Sequence, residues 1–451
     1  MMHIKQLSEL GLFNARVPRY TSYPTAPNFS ADLPRGICSS WIKQIPAGSA
    51  ISLYLHVPFC RRLCWFCACR TQGTTSDAPV LAYAQALRAE LELLRTHLPE
   101  GVQLSRLHWG GGTPTMLPAP VMRDLAAHIF DTAPLAEGGE FSVEIDPNEI
   151  DAPRLDALAE AGLTRASIGV QDFDPEVQGI IGRDQSFEIT KQAADGLRAR
   201  GIKSLNVDIL YGLPAQTQRR VADSVQKLLS LNPDRIALYG YAHVPWMARR
   251  QQVIPSDTLP RPEERFDLFE TARRLLLWDG YDEIGIDHFA RPHDGLAIAA
   301  KTGRLRRNFQ GYTDDMSPVL IGLGASSISR FPQGYVQNNA ATARWKAAVE
   351  QGRFATARGH ALTPADRWRN RAIEALMCDF RLSREELVED FGADATELGA
   401  LIDQASRNFA GFVKSDAQGL EITPAGRPLT RMIATLFDAY TLDKAGHSSA
   451  I

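Results

Sequence analysis

No stretch of about 18 consecutive apolar residues occurs in this 451-residue chain, so no helix is expected to cross a membrane. The first residues, MMHIKQLSELGLF, lack an apolar segment followed by a small-residue cleavage site. No secretory leader is expected, and the sequence reads as cytoplasmic. Neither sign of charge is in excess: 49 Lys and Arg against 52 Asp and Glu leave a net charge of -3. That balance excludes a broad electrostatic footprint for nucleic acid or an anionic membrane. There is no low-complexity tract, and no repeat beyond a strand–helix alternation. Cysteine is scarce as well, with six residues, yet four of them fall between positions 60 and 69. A secreted disulfide scaffold would spread its cysteines; a tight group in a reducing compartment points to metal or redox chemistry.

What is present is alternation. Short apolar segments rich in β-branched residues end in Gly, Pro, Asp or polar clusters at 51–57, 104–109, 141–145, 166–170, 205–210 and 236–241. Between them run helical patterns. Tyr83, Leu87, Leu91 and Leu94 make one apolar stripe, Pro153 opens a second helix, and further helices fit 187–200, 221–231 and 262–278. Strands alternating with helices imply parallel strands joined by crossovers. Six or more such units without an opening GxGxxG favour an α/β barrel, complete or partial, over a doubly wound dinucleotide fold. Barrels of this kind gather their sites at the carboxyl ends of the strands. Gly110-Gly111-Gly112-Thr113, Glu144, Gln171, Asp208 and Ala242-His243 all sit at such ends.

We expect three units: an N-terminal arm over residues 1–45, a catalytic barrel over 46–345 and a C-terminal, mainly helical lid over 346–451. In the last, helical patterns run over 368–380 and 396–410, Ser383-Arg-Glu-Glu386 reads as a capping box, and 412–422 reads as a hairpin around Gln418-Gly419. Helices followed by a hairpin suggest a winged-helix shape.

The segment Cys60-Arg-Arg-Leu-Cys64-Trp-Phe-Cys67-Ala-Cys69 follows the first strand. Three thiolates at this spacing wrap one small cluster from a single loop, whereas ferredoxin-type binding needs a fourth suitably placed cysteine. Three ligands leave one iron open, as a catalytic metal requires. A zinc ribbon would need a second CxxC pair, which is missing, and a thioredoxin-like pair would leave the flanking cysteines without purpose. Cys38 and Cys378 stand alone among apolar neighbours and read as small buried side chains.

CxxxCxxC after the first barrel strand resembles the radical S-adenosylmethionine superfamily. Extended to CxxxCxxCxC, with Pro18-Arg-Tyr-Thr-Ser-Tyr-Pro-Thr25 and His108-Trp-Gly-Gly-Gly-Thr-Pro-Thr115 in order, it is similar to the oxygen-independent coproporphyrinogen III dehydrogenases (oxidases) over nearly the whole chain. The resemblance implies a partial (β/α)6-type barrel extended by further strands, with one [4Fe–4S] cluster on Cys60, Cys64 and Cys67 and S-adenosylmethionine on the open iron. Reductive cleavage would then give a 5'-deoxyadenosyl radical. The implied reaction takes a hydrogen from the β-carbon of a propionate, then CO2 and one electron leave. Done on two propionates of coproporphyrinogen III, it gives protoporphyrinogen IX for heme biosynthesis.

Further roles follow from the same resemblance. Tyr54, which by period two shares a face with Ser52 and His56, is a cofactor contact, as are Phe66, Gly111, Gly112, Thr113, Glu144, Gln171, Arg183, Asp208 and Ala242. The glycines would let backbone amides approach the methionine end of the cofactor. Gly182 stands before Arg183 where the family pattern has a polar residue. Phe309, Gln310 and Ile328 resemble a region for a second S-adenosylmethionine. Tyr20, Glu144 and Cys69 are the expected catalytic residues, with Tyr23 beside Tyr20 on an arm reaching over the site. Arg249, Arg250, Arg304, Arg306 and Arg307 are candidates for pairing with propionates. The partners implied are the tetrapyrrole and a reductant such as flavodoxin or ferredoxin, with no nucleic acid or membrane. A monomer is expected, because no coiled-coil or unpartnered apolar stripe stands out.

Two other classes compete. Heme-binding chaperones of the superfamily usually lack the fourth cysteine and the arm, so Cys69, Tyr20 and Tyr23 argue against that reading. A nucleic-acid regulator is suggested by the winged-helix shape, but residues 364–451 carry 10 Lys and Arg against 14 Asp and Glu, the wrong sign for phosphates. Other radical chemistry on a tetrapyrrole, such as methyl transfer, shares the cofactor motifs.

Overall fold

The computed structural model describes residues 2–440 and 447–451. Six strands alternate with helices as the sequence pattern predicts: β1 (Ala50–Val57), β2 (Gln103–Gly111), β3 (Leu135–Ile145), β4 (Arg165–Gln171), β5 (Ser204–Tyr211) and β6 (Arg235–Gly240). They lie side by side in chain order, all parallel. Beyond β6 the antiparallel β8 (His288–Ala290) and β7 (Asp282–Ile284) form one edge. β9 (Arg306–Asn308) and β10 (Gly311–Thr313) pair apart from the sheet. Beyond β1 come β11 (Leu320–Leu323), parallel to it, and then the antiparallel β12 (Ile328–Phe331), β13 (Gly334–Asn338) and β14 (Thr356–Ala361). The twelve-stranded sheet therefore ends in two edge strands that do not pair with each other, β7 and β14, the latter bridged at Gly359 by Ser30: the barrel is partial and open.

Period-two alternation sorts the strand side chains. Leu53, Leu55, Leu107, Trp109, Phe141, Val143, Ile168, Val207 and Ile209 are buried in the core with the helices. Intervening positions carry polar groups that bond to one another across the other face, such as Tyr54 with His56, His108 with Ser142 and Asn206 with Ser167. The helices begin where polar caps allow. Asp151, Ser186 and Thr217 each accept a backbone N–H in the first turn of Ala152–Glu160, Phe187–Arg198 and Gln218–Ser230. None of the described helices is long and apolar enough to cross a membrane.

The hydrophobic cores divide the chain differently from the expected units. The boundary expected at 346 falls inside the helix Thr342–Glu350, whose Trp345 and Val349 belong to the barrel's core. The sheet itself runs to Ala361, and the C-terminal helix Pro364–Asp379 starts only after it, capped by Thr363. Nor are residues 1–45 one arm. Cys38, Trp41 and Ile42 pack into the barrel core, whereas Leu12, Phe13, Val17, Tyr20 and Tyr23 share a second core with Trp368, Leu376, Ile402 and Phe437. Apolar periodicity marks which face is buried but not which partner covers it. In the C-terminal unit Ser383 accepts from Glu386 N as a cap, and the short π-helix Glu386–Asp390 follows. The hairpin Val413–Ser415/Gly419–Ile422 is present and gains a third strand, Arg381–Ser383.

One buried carboxyl ties the barrel edge together. Glu90, on the helix Ala78–Arg95, accepts from Gly324 N at 2.7 Å and Asn338 Nδ2 at 2.8 Å. Burial pushes its carboxyl up to about 7, against these hydrogen bonds. A carboxyl raised in the fold binds its proton more tightly there than in the unfolded chain. Its contribution is whole below the unfolded value and is lost as pH rises through about 7. The stability penalty of Glu90→Gln, measured by denaturant unfolding, is therefore expected to be about 2 kcal/mol smaller at pH 8 than at pH 5. An equal penalty at both pH values would exclude Glu90 as the titrating group.

Candidate active site

The loop leaving β1 is held against the end of β2 by a ladder of backbone bonds. Gly112 N donates to Val57 O at 2.8 Å and Thr113 N to Phe59 O at 2.7 Å. Gly111 N donates to Glu144 Oε2 at 2.9 Å. These amides are thus already engaged, and the stretch contributes the absence of side chains rather than free N–H groups. A Cβ at Gly110 would stand 2.8 Å from Glu144 Oε1, at Gly111 2.7 Å from the His56 ring, and at Gly112 2.5 Å from Phe59 O and 3.0 Å from Cys60 Sγ. Gly111 also has φ +118, which other residues rarely adopt.

The polar face converges below this corner. Tyr54 Oη lies 2.9 Å from His56 Nδ1, and the Tyr54 ring stacks on His108, with centroids 5.8 Å apart. His108 Nδ1 is 2.7 Å from Ser142 Oγ and its Nε2 is 3.3 Å from Glu144 Oε1. Burial works to raise the Glu144 carboxyl, but His108, the Gly111 amide and His56 outweigh it and hold it below the usual range. Asp208 goes the other way: burial and the Glu144 charge push it up to about 7, opposed by Asn206, whose Nδ2 donates to Asp208 Oδ1 at 2.9 Å. Two carboxyls on one face are thereby set apart in proton affinity.

The cysteine loop continues over this face. Arg183 Nη1 donates to Cys64 Sγ at 3.5 Å and pairs with Asp146 at 3.9 Å, while its Nη2 holds Gly169 O and Gln185 Oε1. Gln171 sits at the bulged end of β4 with φ 71. Gly182 has a physical reason here: a Cβ would meet the Trp65 ring at 2.9 Å, and Trp65 N donates to Ile181 O. The Cys69 thiol and then its N–H, 3.4 Å from Cys67 Sγ, draw the Cys67 thiol down to about 6, helped by Arg250 and Arg183 and opposed by burial. Burial dominates at Cys60 and Cys64 and raises both thiols. Among the described residues no three Cys, His, Asp or Glu side chains gather closely enough for a single metal ion. A [4Fe–4S] cluster takes each thiolate on a separate iron and spans a volume. The loop suits that larger body: three thiols come from one turn, Gly112 leaves room at Cys60, and the buried Arg183 Nε has no hydrogen-bond partner.

The other predicted residues fall in two places. Phe66 packs against the cluster of Val177, Ile181 and Tyr241, and Gln251 Nε2 bridges Phe66 O and Ala242 O at 2.6 and 3.0 Å. Tyr20 and Phe309 line a small cavity. There Tyr20 Oη donates to Asp438 Oδ2 at 2.9 Å, burial raises its phenol, and Tyr23 Oη accepts from Ala439 N. Gln310 is exposed, its N–H on Asn308 Oδ1, and Ile328 pairs with Gln337 between β12 and β13, inside the sheet. Of the five candidate arginines, Arg250 reaches Thr71 of the cysteine loop and Arg307 is buried against Asp287. Arg306 faces Glu374 at 3.8 Å, and Arg249 and Arg304 are exposed. Reading the sequence missed the roles of His108, Asn206 and Gln251. His108 lies inside a quoted motif and was within reach; Gln251, in an irregular segment, has no local signal.

Three comparisons bear on this geometry. Residues 54–228 match the radical SAM superfamily. The chain is 67% identical to an oxygen-independent coproporphyrinogen III oxidase of Paracoccus denitrificans, over 99% of each chain, and 60% identical to that of Cereibacter sphaeroides, over 98% of each. The solved coproporphyrinogen III oxidase (HemN) of Escherichia coli superposes with a TM-score of 0.89 at 36% identity, covering 95% of this chain and 100% of the other. With the cysteine loop, the glycine corner and the polar face in one barrel mouth, the chain belongs to the oxygen-independent coproporphyrinogen III oxidases of the radical SAM superfamily.

Proposed function

We propose that this chain converts two propionate side chains of coproporphyrinogen III to vinyl groups without oxygen, giving protoporphyrinogen IX. The observation that carries this reading is the cysteine loop at the mouth of a barrel whose relatives are named for that substrate. When bound, a [4Fe–4S] cluster and S-adenosylmethionine supply a carbon-centred radical strong enough to take hydrogen from an unactivated C–H bond.

Everything else falls to the protein. Cys60, Cys64 and Cys67 are the thiolate ligands, and Arg183, bonded to Cys64 Sγ, holds the loop against β4. Glu144, kept ionised by His108 and Gly111, offers an acceptor to the cofactor's amino group. Asp208 and Gln171 face the ribose, and Phe66 and Ala242, bridged by Gln251, flank the adenine. Tyr54 stiffens the inner face by stacking on His108. Phe309, Gln310 and Ile328 serve a second S-adenosylmethionine, with Tyr20 beside Phe309. Cys69 supports Cys67 through its thiol and amide and acts in turnover rather than as a ligand. Closing the mouth excludes water and oxygen from the reacting carbon. Electrons enter from an external one-electron donor of the flavodoxin or ferredoxin kind, and the protein acts as a monomer.

Anaerobic turnover of coproporphyrinogen III by the reconstituted protein, followed by mass spectrometry, is expected to give two 5'-deoxyadenosine molecules per protoporphyrinogen IX. Deoxyadenosine without decarboxylation would discard the substrate, and stable heme binding without either product would favour the chaperone reading. Serine at Cys60, Cys64 or Cys67 is expected to abolish the visible iron–sulfur absorbance and turnover together. Cys69→Ser should keep the absorbance and lose turnover; bleaching of the Cys69 variant would make that residue a ligand instead.

A further inference from the structure

A cavity of about 550 Å³ opens at the carboxyl ends of β5 and β6, floored by Tyr211, Gly240, Tyr241 and Ala242. Its size is that of a small-molecule site. The remaining walls come from the helix Pro262–Trp278, residues 283–287 and Arg307, together with the N-terminal segment, the C-terminal unit and residues 447–451. Gln251, bonded to both Phe66 O and Ala242 O, links this floor directly to the cysteine loop.

The walls are unusual in charge. Eight arginines face four carboxylates, an excess of four positive charges in a protein whose net charge is negative. Three of the carboxylates are already taken. Glu270 and Glu283 pair with Arg273, Glu283 also with Arg427, and Asp287 with His288 at 2.7 Å and Arg307 at 3.7 Å. Among the described residues no carboxylate lies within 4.0 Å of Arg19, Arg265 or Arg431. Their guanidinium groups hold only carbonyls and a serine hydroxyl: Arg19 on Gly240 O at 2.7 Å, Arg265 on Tyr241 O at 2.8 Å, and Arg431 on Pro18 O and Ser449 O at 3.0 Å each. Arg265 Nε and Arg307 Nε have no hydrogen-bond partner, and Arg307 Nη1 reaches only Asp287 Oδ1, at 3.7 Å, although these residues are only 9% and 7% exposed. Burial and then the Arg19 and Arg307 charges draw the Arg431 guanidinium down to about 9, and burial with Arg19 lowers Arg265.

Buried guanidinium N–H groups left without acceptors are costly, and planar forks of this kind match carboxylates in pairs. The geometry points to this cavity as a docking site for a ligand bearing several carboxylates, anchored by Arg265 and Arg307 with Arg19 and Arg431 completing the positive field. On the proposed reaction, which this inference deepens and rests on, the ligand is the tetrapyrrole. Its propionates supply the matching negative charge, and those not being cleaved are held here while another faces the cysteine loop.

The test titrates the anaerobically reconstituted full-length protein with coproporphyrin III, the stable oxidised tetracarboxylate, and with its tetramethyl ester, following porphyrin fluorescence. Arg265→Gln and Arg307→Gln are each expected to weaken the acid about 10- to 100-fold and leave the ester unchanged. Arg265→Lys should recover part of the loss. If both Gln variants bind the acid as the native protein does, or lose acid and ester alike, the site is overturned. Turnover separates the two readings. Native conversion of coproporphyrinogen III with an unchanged KM in both variants would remove the site and keep the reaction. The expected acid-selective losses without vinyl product would keep the site and remove the reaction.

Discussion

Glu144 accepts from the Gly111 amide and lies 3.3 Å from His108 Nε2, and through these contacts the end of β3 is joined to the end of β2. The neighbouring amides of Gly112 and Thr113 then fix the loop leaving β1. A single carboxylate thus holds three strand ends in register at the point where the cysteines begin. None of the three glycines in that corner tolerates a side chain, since a Cβ on any of them would strike Glu144, His56 or Phe59. The rest of the mouth inherits its geometry from this contact: Tyr54 stacks on the same His108, and Asp208 feels the same negative charge.

A second constraint is the sharing of one core by distant parts of the chain. Val17, Tyr20 and Tyr23 are buried with Ile402, Ile433 and Phe437, so the N-terminal segment is fixed to the barrel mouth through the C-terminal unit. Residues at the mouth that look like an independent lid in the sequence are therefore rigidly seated. Tyr20, with positive φ 47 and its hydroxyl on Asp438, is held in a backbone conformation that only such seating maintains.

The strands, their order and the site's place at their ends were legible in the sequence, because period-two apolar runs and polar strand ends are local signals. The cysteine loop was legible for the same reason: its chemistry lies within ten consecutive residues. The division into cores was not, because Trp345 and Trp368 look alike as apolar helix positions and differ only in what covers them. The arginines facing the large cavity were mostly hidden too. Arg265 sits in a helix with several other charged residues, and Arg431 is close to the cavity only after the ends of the chain meet. Of the five arginines singled out from sequence, Arg307 alone lines it. The triple glycine was recognised, but its purpose was visible only once Glu144, His56 and Phe59 were seen pressing on it.

Arg431 clasps Pro18 O across 413 residues of sequence and Ser449 O nearby, stitching the two ends of the chain into the same wall. Contacts of that separation form late, after the strand pairings between near neighbours. During synthesis the barrel is complete well before this wall can close. A maturing molecule therefore passes through a stage in which the cysteine loop is already shaped and the vestibule is still open on one side.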